Sequence, residues 1–155
     1  MIDWVVGGLP VHALIVHLTV VIIPLAALCA LLAAFWPAAR RRLGIVTPLL
    51  ALVALLVVPV TIWAGQWLQE RVAPTPLVEH HAALGPLMLW WVIGLFVATV
   101  GQYIWHRTSH RLNGGPRIVG GLLITFVVVV AAVGSVVMVA IIGEAGAASV
   151  WTGNF

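Results

Sequence analysis

The sequence predicts an all-α protein, an integral membrane up-down four-helix bundle, and three observations carry this prediction. Of the 155 residues, 63% are hydrophobic and only 7% are charged, whereas soluble domains carry about 25% charged residues. The charged residues leave four uncharged stretches, each longer than a membrane-spanning helix, which needs about 20 residues. The segments that join these stretches are short, which favours antiparallel neighbours. The uncharged stretches are residues 4–39, 43–69, 80–106 and 118–143.

The four predicted helices form a single domain that covers residues 1–155. The first helix begins near Pro10, since proline suits the first position of a helix, and it ends before Pro37. Arginine, proline and glycine residues mark the three connections. The predicted helices cover residues 10–36, 44–67, 79–105 and 117–143.

The uneven distribution of arginine predicts the orientation. Six of the seven basic residues lie in or directly after the first and third loops. Because cytoplasmic loops carry the excess of arginine, these two loops face the cytoplasm and both termini face outward. The remaining basic residue, Arg71, shares the outer side with all four acidic residues. The acidic residues are Asp3, Glu70, Glu79 and Glu144.

The charge balance also bears on partners. The isoelectric point near 10.6 would indicate nucleic acid as a partner of a soluble chain. Here it reflects a few loop arginines, so we exclude a nucleic-acid partner and expect the lipid bilayer instead. The N-terminal segment has no basic region before its apolar run, and we expect it to be retained rather than cleaved as a signal peptide.

A short internal repeat relates the two halves of the chain. Residues 11–14 (VHAL) open the first helix, and residues 81–84 (HAAL) open the third. Each follows a segment on the outer side. Two parallel helical hairpins, related by an axis along the membrane normal, would produce this pattern.

Polar residues that could carry chemistry gather at the outer ends of the helices. Four of the six histidines lie there, together with three glutamates, and an up-down bundle brings these ends close to one another. Ionisable groups at membrane depth are costly and usually face the bundle interior. The sequence therefore predicts a coordination site near the outer surface. The four histidines are His12, His17, His80 and His81.

The four histidines differ in their expected roles. His17 lies about 10 Å inside the start of helix 1, and about 140° around the helix from His12. The two side chains could flank one site if the first turn is distorted, or His17 could simply bond internally. Only one of the adjacent His80 and His81 is expected to face the bundle, and the internal repeat favours His81.

Two kinds of cofactor suit these residues. For haem b, His17 and His81 would clamp the iron from opposite helices, with His12 nearby and Arg71 facing the propionates. For a bare Cu or Zn ion, histidine and carboxylate would supply a mixed set of ligands. That second set is His12, His17, His81 and Glu144.

Three segments together resemble a bacterial family of small membrane proteins called domain of unknown function 2231. They are Leu9-Pro10-x-His12 with His17 five residues later, residues 78–85 (VEHHAALG) and residues 143–151 (GEAGAASVW). Pro59 and Gly65-x-Trp67 fit the usual end of the family's second helix. The likeness covers nearly the whole chain.

The resemblance implies a four-helix membrane domain in the bacterial inner (cytoplasmic) membrane. Some relatives look fused to a Rieske iron–sulfur domain, which implies electron transfer. The family's histidines fall on His12, His17 and His81. This chain departs from the family at Ala13, where proline is usual, and at Glu144, where the family has histidine. A fourth ligand here would therefore be a carboxylate, or the cofactor would use only two or three imidazoles.

Three functional interpretations follow. The first is a redox protein that holds haem b near the outer face and exchanges electrons with a periplasmic or quinone partner. The second is a non-haem Cu or Zn protein, either a binding protein or a small enzyme. The third is a cofactor-free structural or assembly subunit. The sequence contains no familiar catalytic motif, and it leaves open both a catalysed reaction and a homo-oligomer.

Overall fold

A computed structural model describes residues 4–111 and 113–152, so Asp3 lies outside the described residues. The described chain is almost entirely helical. A two-residue hairpin, β1 (Val5–Val6) and β2 (Leu9–Pro10), precedes the helices, and a 3-10 turn covers Ser109–Arg111. The helices are α1 (Val11–Phe35), α2 (Pro37–Leu43), α3 (Val46–Gln69), α4 (Pro76–Leu84), α5 (Leu87–Thr108) and α6 (Gly115–Trp151).

Four helical segments are long and apolar enough to cross a membrane. This confirms the predicted all-α membrane bundle of four helices and its contact with lipid. Side chains such as Val21 and Leu122 are more than half exposed on its outer surface, as expected where lipid replaces water. The spans are Val11–Phe35, Val46–Gln69, Pro76–Arg111 and Gly115–Trp151.

The spans pack as a four-membered ring in chain order. Helix α1 packs against α3 and α6, and α5 packs against the same two helices. The contact between α1 and α5 is much smaller, so these two helices face each other across the bundle. Successive spans run in opposite directions, which brings the start of α1, the end of α3, the start of α4 and the end of α6 to one end.

Small residues fill the core where the helices approach closely. Ala30, Ala51, Ala98 and Ala132 are almost completely buried between α1, α3, α5 and α6. A second cluster of larger side chains, including Ile23, lies nearer the histidines. Lipid tails are as apolar as these side chains, so the helices associate through close van der Waals packing rather than through escape from water.

The third predicted helix differs from the observed one, because the structure divides it into α4 and α5. Pro86 has no backbone N–H and its ring obstructs a continuous helix. The backbone N–H of Met88 bonds to the Gly85 carbonyl at 3.1 Å, and that of Leu89 bonds to the Pro86 carbonyl at 3.2 Å. These tight turns bend the chain, and α4 packs mainly against α6 rather than α5.

Two helix boundaries extend beyond the prediction. Helix α4 begins at Pro76, where the Thr75 hydroxyl accepts a hydrogen bond from the Val78 N–H at 3.2 Å, a common helix cap. Helix α6 continues to Trp151, eight residues past its predicted end at 143. Gly143, Glu144 and Gly146 do not end the helix, because an isolated glycine in a helix costs only about 1 kcal/mol and the alanines between and after them favour it.

We predict that Gly134→Ala destabilises the bundle, because a Cβ at this position on α6 would overlap the Trp91 ring of α5. Overpacking of this kind costs about 1–3 kcal/mol. The measurement is thermal unfolding in mild detergent. Gly143→Ala, in the same helix but with no side chain or other helix within 4 Å of the added Cβ, is the matched control and should be neutral or slightly stabilising, because alanine favours a helix more than glycine does. Equal stability of the two variants would contradict this packing.

Candidate functional site

The structure brings two of the predicted histidines together, His12 of α1 and His81 of α4. Both side chains are half-buried at the same end of the bundle, which we call the histidine end. Their ring centres lie 6.3 Å apart, and their ring planes cross at 69°. The pair lies across the bundle, since α1 and the α4–α5 segment occupy opposite corners of the ring of helices.

His12 is held by the neighbouring helix α3. Its Nδ1 atom lies 3.0 Å from the backbone carbonyl oxygen of Thr61. A carbonyl oxygen can only accept a hydrogen bond, so Nδ1 carries the proton in this contact. In the neutral ring the other nitrogen, Nε2, then keeps its lone pair.

His81 repeats this arrangement in the second half of the chain. Its Nδ1 atom lies 3.1 Å from the backbone carbonyl oxygen of Ile142 in α6. By the same argument, Nδ1 donates and Nε2 is left with its lone pair. Metal-binding histidines typically donate one N–H to a carbonyl or carboxylate in this way, which fixes the tautomer and the ring orientation.

A glycine lies beside each ring, one helical turn beyond the carbonyl that the ring contacts. A Cβ added at Gly65 would lie 3.0 Å from Cε1 and Nδ1 of His12. A Cβ added at Gly146 would lie 3.0 Å from Cε1 of His81. Any larger residue would therefore push the ring, so glycine permits both rings to approach the helix backbone closely.

The two halves thus contain the same structural unit: a histidine bonded to the carbonyl of residue i and packed on glycine i+4 of the next helix. The repeated letters of residues 11–14 and 81–84 correspond to this repeated contact. An Ala-Gly dipeptide, at 64–65 and again at 145–146, marks the accepting helices. This second repeat is the signal that the sequence interpretation missed.

His17 does not join the pair. Its side chain is exposed, and its Nδ1 atom lies 2.7 Å from the carbonyl oxygen of Ala13 in its own helix. Five residues separate it from His12, so the two side chains point in different directions around α1. The expected clamp of His17 and His81 is therefore not assembled, and His12 occupies the position opposite His81.

Glu144 lies on the other side of α6 from the histidine pair. It stands midway between Ile142 and Gly146, which share the face that contacts His81, so it points about 200° away from them. Its side chain is exposed. Within residues 4–111 and 113–152, no group of three or more His, Cys, Asp or Glu side chains could hold a metal ion. The expected four-ligand set is thus not brought together.

Arg71 lies at the same end but is engaged locally. Its Nη1 atom donates to the Trp67 carbonyl at 2.8 Å and lies 3.5 Å from a Glu70 carboxylate oxygen. Its guanidinium also stacks over the Trp67 ring at 3.9 Å. The residue lies just past the end of α3, two positions after Gln69.

The arrangement offers two imidazoles in fixed orientation. A metal ion about 2.0–2.1 Å from one nitrogen of each ring, with the two nitrogens on opposite sides of it, would separate the ring centres by about 6 Å. The observed 6.3 Å is compatible with this separation and is also that of an edge-to-face contact between the two rings. The ring planes are free to cross at any angle in such a complex, so the 69° crossing is compatible with it.

Comparisons of the chain with protein-family models, with curated proteins and with solved structures found no match. The site is therefore interpreted from its own geometry.

We predict that His12→Ala and His81→Ala each lower the free energy of unfolding by about 1 kcal/mol, because each removes a hydrogen bond between helices. His17→Ala is the matched control. Its bond stays within one turn of an exposed helix face, so it should change the stability by less than about 0.5 kcal/mol. Unfolding in detergent measures all three, and a larger loss in the control would contradict the assignment of His12 to the bundle interior.

Proposed function

We propose that His12 and His81 would hold a b-type haem, and that the protein transfers electrons within the membrane. The observation that carries this proposal is the paired geometry of the two rings. Each ring donates a hydrogen bond from Nδ1 to a helix carbonyl, which leaves the lone pair of Nε2 for a metal. The two ring centres lie 6.3 Å apart. Haem iron accepts histidine axial ligands, and it changes oxidation state by one electron.

The number of donors favours haem over a bare ion. A structural zinc site needs four protein ligands, and a catalytic one needs three. The described part of the chain offers two histidines without a third ligand beside them. The haem macrocycle brings four nitrogens of its own, so two imidazoles complete its coordination. A two-coordinate copper ion would use the same pair and is the alternative.

Two glycines and one arginine near the pair also bear on the proposal. Gly65 and Gly146 let the two rings lie against the backbones of α3 and α6. Arg71 follows the end of α3 and is exposed, so its guanidinium would be able to pair with the propionates of a haem at the rim of the bundle. The protein's contribution would be to orient the axial ligands and to set the polarity around them.

The wider assignment rests on the resemblance to the family called domain of unknown function 2231. Some relatives look fused to a Rieske domain, which supports an electron-transfer role with a periplasmic or quinone partner. The resemblance also supports a location in the bacterial inner membrane, and the distribution of arginine supports an orientation with both termini outside. The histidine end would then face the periplasm, where such a partner is accessible.

The haem proposal predicts a visible spectrum. Protein extracted from its native membrane in mild detergent should show a Soret band that shifts on reduction. His12→Ala and His81→Ala should each reduce haem content at least tenfold, since a single remaining imidazole leaves the iron without its second protein ligand. The measurements are the reduced-minus-oxidised spectrum, the haem content by pyridine extraction, and metal analysis.

The matched controls are His17→Ala and His80→Ala, which remove exposed histidines next to the pair and should keep the full spectrum. Circular dichroism checks that each variant is folded. Stoichiometric copper without a Soret band would replace haem by copper at the same pair. Folded native protein with neither haem nor metal would refute the proposal and leave a cofactor-free subunit.

The proposed orientation predicts where an impermeant thiol reagent reacts. Ala73→Cys, in the exposed loop between α3 and α4, should react in intact spheroplasts. Asn113→Cys, in the exposed loop before α6, should react only after the membrane is opened. The natural Cys29 is buried and serves as the unreactive background. The opposite pattern would reverse the orientation and place the histidine pair toward the cytoplasm.

A further inference from the structure

The opposite end of the bundle contains a polar cavity that the histidine pair does not explain. We call this end the arginine end. The cavity has a volume of about 250 Å³ and lies between the end of α1, helix α2, the start of α3 and the end of α5. Three arginines line it, Arg40, Arg41 and Arg107, together with His106.

Two buried polar atoms in this cavity lack a partner. They are the Thr47 hydroxyl oxygen and the His106 Nε2 atom, neither of which makes a hydrogen bond within the described part of the protein. The Thr47 residue is only 2% exposed. Buried polar groups without a partner cost free energy and are rare in folded proteins, so each one points to a missing ligand or water.

The charges around the cavity are all positive. The three described carboxylates, Glu70, Glu79 and Glu144, belong to the histidine end. Arg40 donates from Nε and Nη2 to the carbonyls of Ala33 and Ala34, both at 2.7 Å. Those bonds satisfy carbonyls at the end of α1 but provide no negative charge, and Nη1 can still donate.

The surroundings of the arginines affect their charge and position at the cavity. Burial lowers the pKa of the Arg40 guanidinium, although an arginine side chain stays charged in proteins. The guanidinium of Arg107 lies 4.8 Å from the centre of the Tyr103 ring, which holds it at the cavity wall. Helix α3 begins at Val46, and Thr47 and Pro48 of its first turn line the cavity, so the positive end of the helix dipole also favours an anion there.

We propose that this cavity binds a phosphate group, with Arg41 and Arg107 supplying charge and the Thr47 hydroxyl supplying a buried hydrogen bond. Arginine forms paired hydrogen bonds to phosphate oxygens, and hydroxyl and backbone N–H groups complete such sites. The ligand is the headgroup phosphate of an anionic lipid or a free phosphate anion. Basic pockets between membrane helices bind anionic lipid headgroups in this manner.

The test measures binding and thermal stability of the whole protein in an uncharged detergent. The probes are phosphatidylglycerol, diacylglycerol and inorganic phosphate, each added to lipid-depleted protein. Phosphatidylglycerol should raise the unfolding temperature, because a ligand that binds only the folded state stabilises it. Diacylglycerol should not, since it has the same acyl chains but no phosphate.

Matched variants assign the effect to the cavity. Arg41→Gln should weaken phosphatidylglycerol binding at least tenfold, whereas Arg42→Gln, its exposed neighbour outside the cavity, should change binding less than twofold. Thr47→Val should weaken binding several-fold. The same substitution should leave the lipid-free protein at least as stable as the wild type, because it replaces an unpartnered buried hydroxyl by a methyl group of similar size.

The outcomes separate the two sources of phosphate and can overturn the proposal. A response to phosphatidylglycerol alone identifies a lipid headgroup, and a response to inorganic phosphate as well identifies a site open to soluble anions. Equal responses to both lipids, equal losses in Arg41→Gln and Arg42→Gln, or full binding by Thr47→Val would each refute a phosphate site in this cavity. None of these measurements depends on haem at the other end.

Discussion

Close helix contact and a few polar bonds between helices hold this bundle together, because apolar side chains gain little by leaving lipid for one another. The hydroxyls of Thr19 and Thr61 lie 2.9 Å apart and join α1 to α3. Gln102 donates to the Ala30 carbonyl at 3.1 Å and joins α5 to α1 across the core. Ser135 donates to the Trp91 carbonyl at 3.3 Å and joins α6 to α5.

The histidine pair belongs to this same set of contacts. Each ring bonds a carbonyl of the next helix, so the ring is oriented by the packing of the two helices and not only by its own rotamer. Thr61 serves both purposes, since its hydroxyl bonds Thr19 while its carbonyl accepts from His12. A histidine pair supported in this way is held rigidly, as a metal or haem site would require.

The contact between α4 and α6 places His81. Helix α4 packs on α6, as α5 does, and this contact brings His81 against Ile142 and Gly146. The extension of α6 to Trp151 forms part of the second half of the site, since Gly146 belongs to it.

The sequence by itself determined the class of the protein. The spacing of its charges defines four spans because every charge in the hydrocarbon region is costly, and the structure confirms these spans. The same pattern placed four of the six histidines at one end and six of the seven arginines at the other. Residue type and position along the chain suffice for such conclusions.

Only the tertiary structure decided which histidines meet and which arginines line a cavity. His12 and His17 are alike in sequence, but their positions around α1 direct one toward α3 and the other outward. Thr47 and His106 are identified as cavity residues with unpartnered polar atoms only because α3 and α5 enclose them at the arginine end. The direction of a side chain depends on helix rotation, on kinks and on neighbouring helices, which a single sequence does not specify.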